Sequence, residues 1–154
     1  MNTSKNMNFG IIGNCRSAAL IDENGSIDWC CLPKFDSPSI FAKILDTEKG
    51  GSFTVNPMED YIISQSYLGD SCILSTLYEN ENHSFEVIDF MPRFQTENGQ
   101  YYAPPELVRL IKPIKGSPKI QLQYDPRLEY AQGVTSHEAK NNSIVSEVNE
   151  PTHD

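Results

Sequence analysis

The sequence predicts a mainly β protein: an antiparallel β-sandwich, supersandwich-like, with one short helix near residues 38–45. Short apolar runs alternate with polar residues at a period of two, the signature of strands with one buried face. Turn signals built on Gly, Asn, Asp and Pro recur between them at short, regular intervals, as in a sandwich of meandering hairpins. With 154 residues and 38% hydrophobic content, the chain is about one domain and can build a core.

Residues 1–8 are polar and read as a frayed tail, leaving 9–154 as the domain. The stretch Gly10–Leu45 organises the remainder of the chain. Ala18-Ala19-Leu20-Ile21 is an apolar strand, and Asn24-Gly25 is a two-residue type I′ turn, because both residues tolerate positive φ. Ile27, Trp29 and Cys31 then alternate with Asp28 and Cys30. Lys34-Phe35-Asp36-Ser37-Pro38 breaks this strand, Ser37 as an N-cap and Pro38 at the first helical position. Ile40, Phe41, Ile44 and Leu45 share one helical face, which gives the short helix.

Strands follow at 51–55 and at 61–67, where Tyr61, Ile63, Gln65 and Tyr67 share a side. Another runs over 72–78. From Ser84 to Phe90, Phe85, Val87 and Asp89 take one face and Glu86, Ile88 and Phe90 the other. Residues 91–105 form a longer loop, and loops of that length in small domains often carry function. Leu107–Ile114 and Lys119–Tyr124 are strands either side of the Lys115-Gly116-Ser117-Pro118 turn. Residues 126–133 are irregular, and Ser143–Val148 is a last, weak strand.

The formal net charge of −9 argues against nucleic acid and anionic membrane surfaces as partners and suits a neutral one, such as a sugar. No run approaches the ~20 apolar residues of a membrane span. The N-terminus lacks the apolar core of a signal peptide, so the expected location is cytoplasmic. Cys15, Cys30, Cys31 and Cys72 include no C-x-x-C and read as buried or half-buried thiols. His83, His137 and His153 lack ligand spacing, so no metal and no cofactor is expected.

The segment from Gly13 to Leu45 resembles the opening of bacterial glycoside hydrolase family 15 proteins, the glucoamylase and trehalase-like enzymes. Asp89-Phe90-Met91-Pro92-Arg93, Pro105-Glu106-Leu107-Val108-Arg109 and Tyr124-Asp125-Pro126-Arg127-Leu128-Glu129-Tyr130-Ala131 extend the resemblance to roughly Phe9–Thr135. It implies the trehalase-like N-terminal β-sandwich, C-terminally incomplete here. The partner it implies is an (α/α)6 barrel, absent from this sequence, that carries two glutamates and inverts an α-glucosidic bond in trehalose or at α-glucan ends. No catalytic residue is therefore expected in this chain, which alone is expected to be inactive.

Asp22, Asp28, Asp36 and Asp89 read as caps, solvated face residues or ion-pair partners rather than as a catalytic pair. Asp36 either holds its loop or, with Phe35 or Trp29, borders a sugar pocket. Arg16, Arg93, Arg109 and Arg127 lie at apolar strand ends, where ion pairs between loops or domains are the default. Arg16, Trp29, Phe35, Asp36, Arg93 and Arg127 are thus the candidates for a substrate rim or domain interface. A free-standing carbohydrate-binding module would instead need exposed aromatics, for which Tyr61, Tyr67, Tyr101 and Tyr102 are the candidates; an inactive truncated remnant is the third reading.

Overall fold

The computed structural model describes residues 8–149. Two antiparallel sheets face each other across one core. The first holds β1 (Phe9–Gly13), β2 (Ala18–Asp22), β3 (Ile27–Cys31), β5 (Ser52–Pro57) and β12 (Ile120–Asp125) in that order, with β4 (Ser39–Phe41) beside β3. The second runs β11 (Val108–Lys115), β8 (Ser84–Phe90), β7 (Leu74–Glu79), β6 (Ile62–Tyr67). Two small hairpins stand apart: β9 (Phe94–Gln95) with β10 (Tyr101–Tyr102), and β13 (Val134–Lys140) with β14 (Ser143–Asn149). The sandwich is as the sequence predicts. No helix among the described residues is long and apolar enough to cross a membrane, which says nothing of a β-barrel.

The core forms where the period-two faces meet. One cluster joins Ile12, Ala19, Ile21, Ile27, Cys30 and Phe41 of the first sheet to Leu74 and Met91. Another packs Val55 on Tyr78, Phe85 and Val87, with the Tyr78 and Phe85 rings stacked at 4.4 Å. β8 follows its sequence pattern: Phe85, Val87 and Asp89 are buried and Glu86, Ile88 and Phe90 are half-buried.

The expected helix at 38–45 is not there. Ser39–Phe41 pairs with β3, Cys30 opposite Phe41 and Cys31 opposite Ser39. Ala42 and Lys43 then donate to the carbonyls of Gly50 and Gly51, and Ile44 to that of Asp28. A helix this short is marginal without packing, and here β3 and the Gly50-Gly51 segment supply the backbone partners instead. Leu45, which a helical face would bury, is 73% exposed. Ser37 serves a turn rather than a helix, its Oγ accepting from Lys34 N at 3.1 Å.

The β2–β3 turn also differs from the expected type I′. Gly25 N donates to Asp22 O at 3.0 Å and Asp22 N to Ser26 O at 2.8 Å, and only Gly25 takes a positive φ, +77°. This is a longer loop with glycine at its left-handed position. Further along, Ile21 faces Ile27 but Leu20 faces Trp29, so Asp28 is the extra residue of a bulge. The bulge breaks the predicted alternation: Ile27 and Cys30, opposite Ile21 and Ala19, both enter the core.

Candidate functional site

Side chains of the second sheet converge on the β2–β3 turn. Tyr78 Oη donates to Asn24 O at 2.8 Å, and Gln65 Nε2 to Asp22 O at 2.8 Å. Arg109 Nη2 donates to Gly25 O at 2.7 Å and its Nη1 to Phe53 O at 2.8 Å. The same guanidinium grips Asp89 with two bonds, Nε–Oδ1 at 2.7 Å and Nη2–Oδ2 at 3.0 Å, while lying 4.9 Å from the Phe53 ring centre. Burial pushes the Asp89 carboxyl up and the Arg109 guanidinium draws it back down.

Two of the other aspartates weighed as chemistry, Asp22 and Asp28, are also engaged in structure. Asp22 Oδ1 accepts from the backbone N–H groups of Asn24 and Ser26, at 2.9 and 2.7 Å. Its carboxyl is raised above the ordinary value, mainly by burial. Asp28 accepts from Ser26 Oγ and sits 3.4 Å from Lys43 Nζ.

Loops gather at one end of the sandwich. Asn14, between β1 and β2, is buried. Its Oδ1 accepts from Arg16 N and Ser17 N, at 3.1 and 3.0 Å, and its Nδ2 donates to Pro104 O at 2.9 Å and Pro92 O at 3.3 Å. Phe35 N donates to Arg16 O at 3.0 Å, which joins the β3–β4 loop to the same cluster. Arg16 Nη1 reaches Ala103 O at 3.5 Å. Arg93 lies 4.4 Å from the Tyr101 ring centre and 3.2 Å from Cys15 Sγ. Phe35, Phe94, Tyr101 and Tyr102 are all more than half exposed here. Beside them is a groove of about 430 Å³, lined by Gly13, Cys72, Met91, Arg93 and Phe94 among others.

Arg16, Phe35 and Arg93 are thus brought together, with Asp36 exposed next to Phe35 in the same loop. Trp29 and Arg127 are placed elsewhere. Trp29 is half-buried in β3 opposite Leu20. Arg127 pairs with Asp125 at 3.0 Å and donates its backbone N–H to Ile40 O. Tyr61 and Tyr67 do not join an aromatic row. Tyr61 packs edge-on against Phe85 at 5.4 Å, and Tyr67 Oη is bound to Ile11. Sequence reasoning missed Asn14; its spacing to Ser17, an Asn followed by polar N–H groups at the end of a strand, is an Asx-turn signal.

Among the described residues, no group of three or more His, Cys, Asp or Glu side chains is placed to hold a metal ion. His83 Nδ1 lies 2.9 Å from Glu59, and His137 Nδ1 2.9 Å from Ser146 Oγ.

Fold and loops together define an antiparallel two-sheet sandwich domain whose connections are tied into one rim by a buried asparagine. Residues 4–153 match the family described as trehalase-like, N-terminal, and the chain belongs to it. It is 36% identical over 126 residues to a trehalase of Thermoplasma volcanium, covering 80% of this chain and 20% of that protein. A trehalase of Thermoplasma acidophilum is 36% identical over 115 residues, 73% of this chain and 19% of its own. Trehalase 1 of Sulfolobus acidocaldarius is 48% identical over 84 residues, 54% of this chain and 14% of its own. The chain therefore spans about a fifth or less of the length of these relatives. No solved structure matches.

Proposed function

We propose that this chain is the N-terminal, non-catalytic β-sandwich of a trehalase-like glycoside hydrolase. It packs on an (α/α)6 catalytic barrel of the glycoside hydrolase family 15 kind, which cleaves the α-glucosidic bond of trehalose or of α-glucan ends. The observation that carries the reading is the match of nearly the whole chain to the trehalase-like N-terminal family, at about a fifth of the length of named trehalases. Inverting hydrolysis needs an acid and a base roughly 6.5–9.5 Å apart with a water between them. Asp22, Asp28 and Asp89 instead hold a turn, a lysine and an arginine. The rim of Arg16, Phe35, Asp36 and Arg93 is the surface offered to the barrel and the edge of its sugar pocket. Four free thiols suit the reducing cytoplasm.

The test is glucose release from trehalose, maltose and maltooligosaccharides by the purified chain. No release is expected, and release would overturn the reading. A second reading, a free-standing carbohydrate-binding module, is favoured by the exposed pair Phe94–Tyr102, ring centres 5.3 Å apart, beside Tyr101. Calorimetric titration with the same sugars separates the two: heat of binding supports the module, and flat traces support the scaffold.

A further inference from the structure

Among the described residues the two sheet paths end in β1 and β12 and in β11 and β6, and these strands are protected unequally. The free side of β1 is capped, because Tyr67 Oη accepts from Ile11 N at 2.8 Å and donates to Ile11 O at 3.0 Å. β11 carries Lys112, Pro113 and Lys115 and a bulge, the usual guards of an edge. β6 has no proline, charge or bulge; Tyr67 and Gln65 tie it to the opposite sheet, but Ile62-Ile63-Ser64-Gln65-Ser66-Tyr67 does not read alike from both ends and so offers no matched partner to a second copy of itself. β12 has no proline, charge or bulge between Ile120 and Tyr124, and Gln121, Leu122, Gln123 and Tyr124 are all exposed. Among the described residues it is the last strand of its sheet.

Its backbone alternation is fixed by β5. Met58 N donates to Lys119 O at 3.1 Å, so Lys119 and, by alternation, Gln121 and Gln123 turn their backbone groups toward β5. Ile120, Leu122 and Tyr124 turn theirs to the open side. The side chains of these same three residues lie on the core face. Ile120 packs on the Val55–Tyr78–Phe85 cluster and Tyr124 packs edge-on against Phe41 and Phe53. Leu122 is 52% exposed although its neighbour across the ladder, Val55, is buried, so the core is open along this edge.

The strand is its own complement. Pro118-Lys119-Ile120-Gln121-Leu122-Gln123-Tyr124-Asp125-Pro126 reads alike in chemical type from both ends, except that the two charges have opposite signs. We propose that two copies of this chain pair antiparallel through β12 about a two-fold axis at Leu122, extending the sheet across a dimer. In that register Lys119 of one copy stands opposite Asp125 of the other, in the closer, non-hydrogen-bonded type of pair. Ile120 meets Tyr124, Leu122 meets Leu122, and every outward N–H and C=O from Ile120 to Tyr124 is satisfied. The prolines, which have no N–H to give, fall opposite each other and end the pairing. A slip of two residues either way sets a proline opposite Ile120 or Tyr124 and parts the charges. A two-fold contact of this kind is closed and does not propagate into fibres.

Sedimentation velocity of the full chain over rising concentration is expected to show a monomer–dimer equilibrium. Leu122→Pro removes an outward N–H without touching the β5 ladder and is expected to weaken the dimer by roughly tenfold or more. Lys119→Asp and Asp125→Lys each set like charges together and weaken self-association. An equimolar mixture of these two variants is expected to regain the dimer, because each altered charge again meets its opposite. Lys119 is exposed, whereas Asp125 is half-buried and pairs with Arg127 of its own chain. Recovery on mixing cannot come from that pair, which the mixture does not restore, so the mixture tests the register even where Leu122→Pro fails to fold. A chain that stays monomeric at the highest concentrations overturns the proposal. So does a dimer that survives Leu122→Pro, or one whose charge variants fail to recover on mixing.

Discussion

Arg109 and Asp89 form a bidentate ion pair sealed inside the sandwich, 2.7 Å at its shorter contact, with the side chains 3% and 0% exposed. The pair also ties the sheets together, because Arg109 donates across to Phe53 O and Gly25 O. Removing one partner strands a buried charge, which costs about 3–5 kcal/mol. Arg109→Met and Asp89→Leu are each expected to lower the unfolding free energy by that amount, seen as a lower urea midpoint. The double variant is expected to cost less than the sum, since neither charge is left alone. It will not reach wild-type stability, because the two carbonyls lose their donor. Equilibrium unfolding of all four proteins gives the coupling directly.

The β2–β3 turn depends on space as well as hydrogen bonds. A Cβ at Gly25 would sit 2.2 Å from Tyr78 Oη, at a φ of +77° that side chains rarely adopt. Tyr78→Phe loses the bond to Asn24 O and is expected to cost about 1 kcal/mol. Gly25→Ala is expected to cost on the order of 1–3 kcal/mol from backbone strain, and more from the clash. In the Tyr78→Phe background the clashing oxygen is gone, so Gly25→Ala is expected to cost less there than in the wild type. Chemical denaturation measures the difference.

Legibility followed the strength of local patterns. β8 could be read because Phe85, Val87 and Asp89 alternate with half-buried neighbours, and the pleat enforces that period. The sequence misleads at 38–45 because Ile40, Phe41, Ile44 and Leu45 satisfy a helical period; the partner that decides for a strand, Cys30–Cys31, is distant from any local signal. Asn24-Gly25 marks a turn correctly but not its type, since the longer loop also wants glycine in a left-handed position. β13 is silent in the sequence because Val134–Lys140 lies exposed and carries no apolar alternation. At the rim, single residues such as Arg16, Phe35 and Arg93 could be picked out. Asn14 shows locally only as an Asx-turn; that it binds their loops together does not show, because its acceptors lie about eighty to ninety residues on, at Pro92 and Pro104.

Asp22 gives the stability a defined pH dependence. Burial, followed by other influences of which the nearby Asp28 charge also disfavours ionisation, holds its carboxyl above the ordinary value in the folded state. A raised folded value means that the contribution is fully present below the unfolded pKa and is lost as pH rises through the folded one. Asp22→Asn keeps the oxygen that accepts from Asn24 and Ser26 and removes the titration. The stability of this variant relative to wild type is therefore expected to rise from acid to neutral pH. Parallel urea titrations across that range would show a flat difference if Asp22 did not titrate this way.

The cysteines are expected to divide into two classes. Cys15 and Cys72 are exposed, while Cys30 and Cys31 are buried. Burial, reinforced by Cys31 beside it, pushes the Cys30 thiol up to about 12, and Cys31 is raised by burial as well. The thiolate is the reactive form. A chromogenic disulfide reagent at neutral pH is therefore expected to modify Cys15 and Cys72 promptly and to reach Cys30 and Cys31 only on unfolding. Peptide mapping after a short pulse checks the assignment.

Asn14 separates the frame of the rim from its contact surface. Its side chain is buried and accepts from Arg16 and Ser17 while donating to Pro92 and Pro104, so it fixes where the 91–105 segment leaves and rejoins the sandwich. Asn14→Ala leaves buried polar groups without partners, at about 1–3 kcal/mol, and frees both ends of that segment. Tyr101 is 65% exposed and its ring is held by the Arg93 contact, so Tyr101→Ala is expected to change stability by no more than about 0.5 kcal/mol. Limited proteolysis distinguishes them. Cleavage within 91–105 is expected to speed up in Asn14→Ala and to match wild type in Tyr101→Ala, whereas equal rates in all three would mean that the segment is held by something other than Asn14.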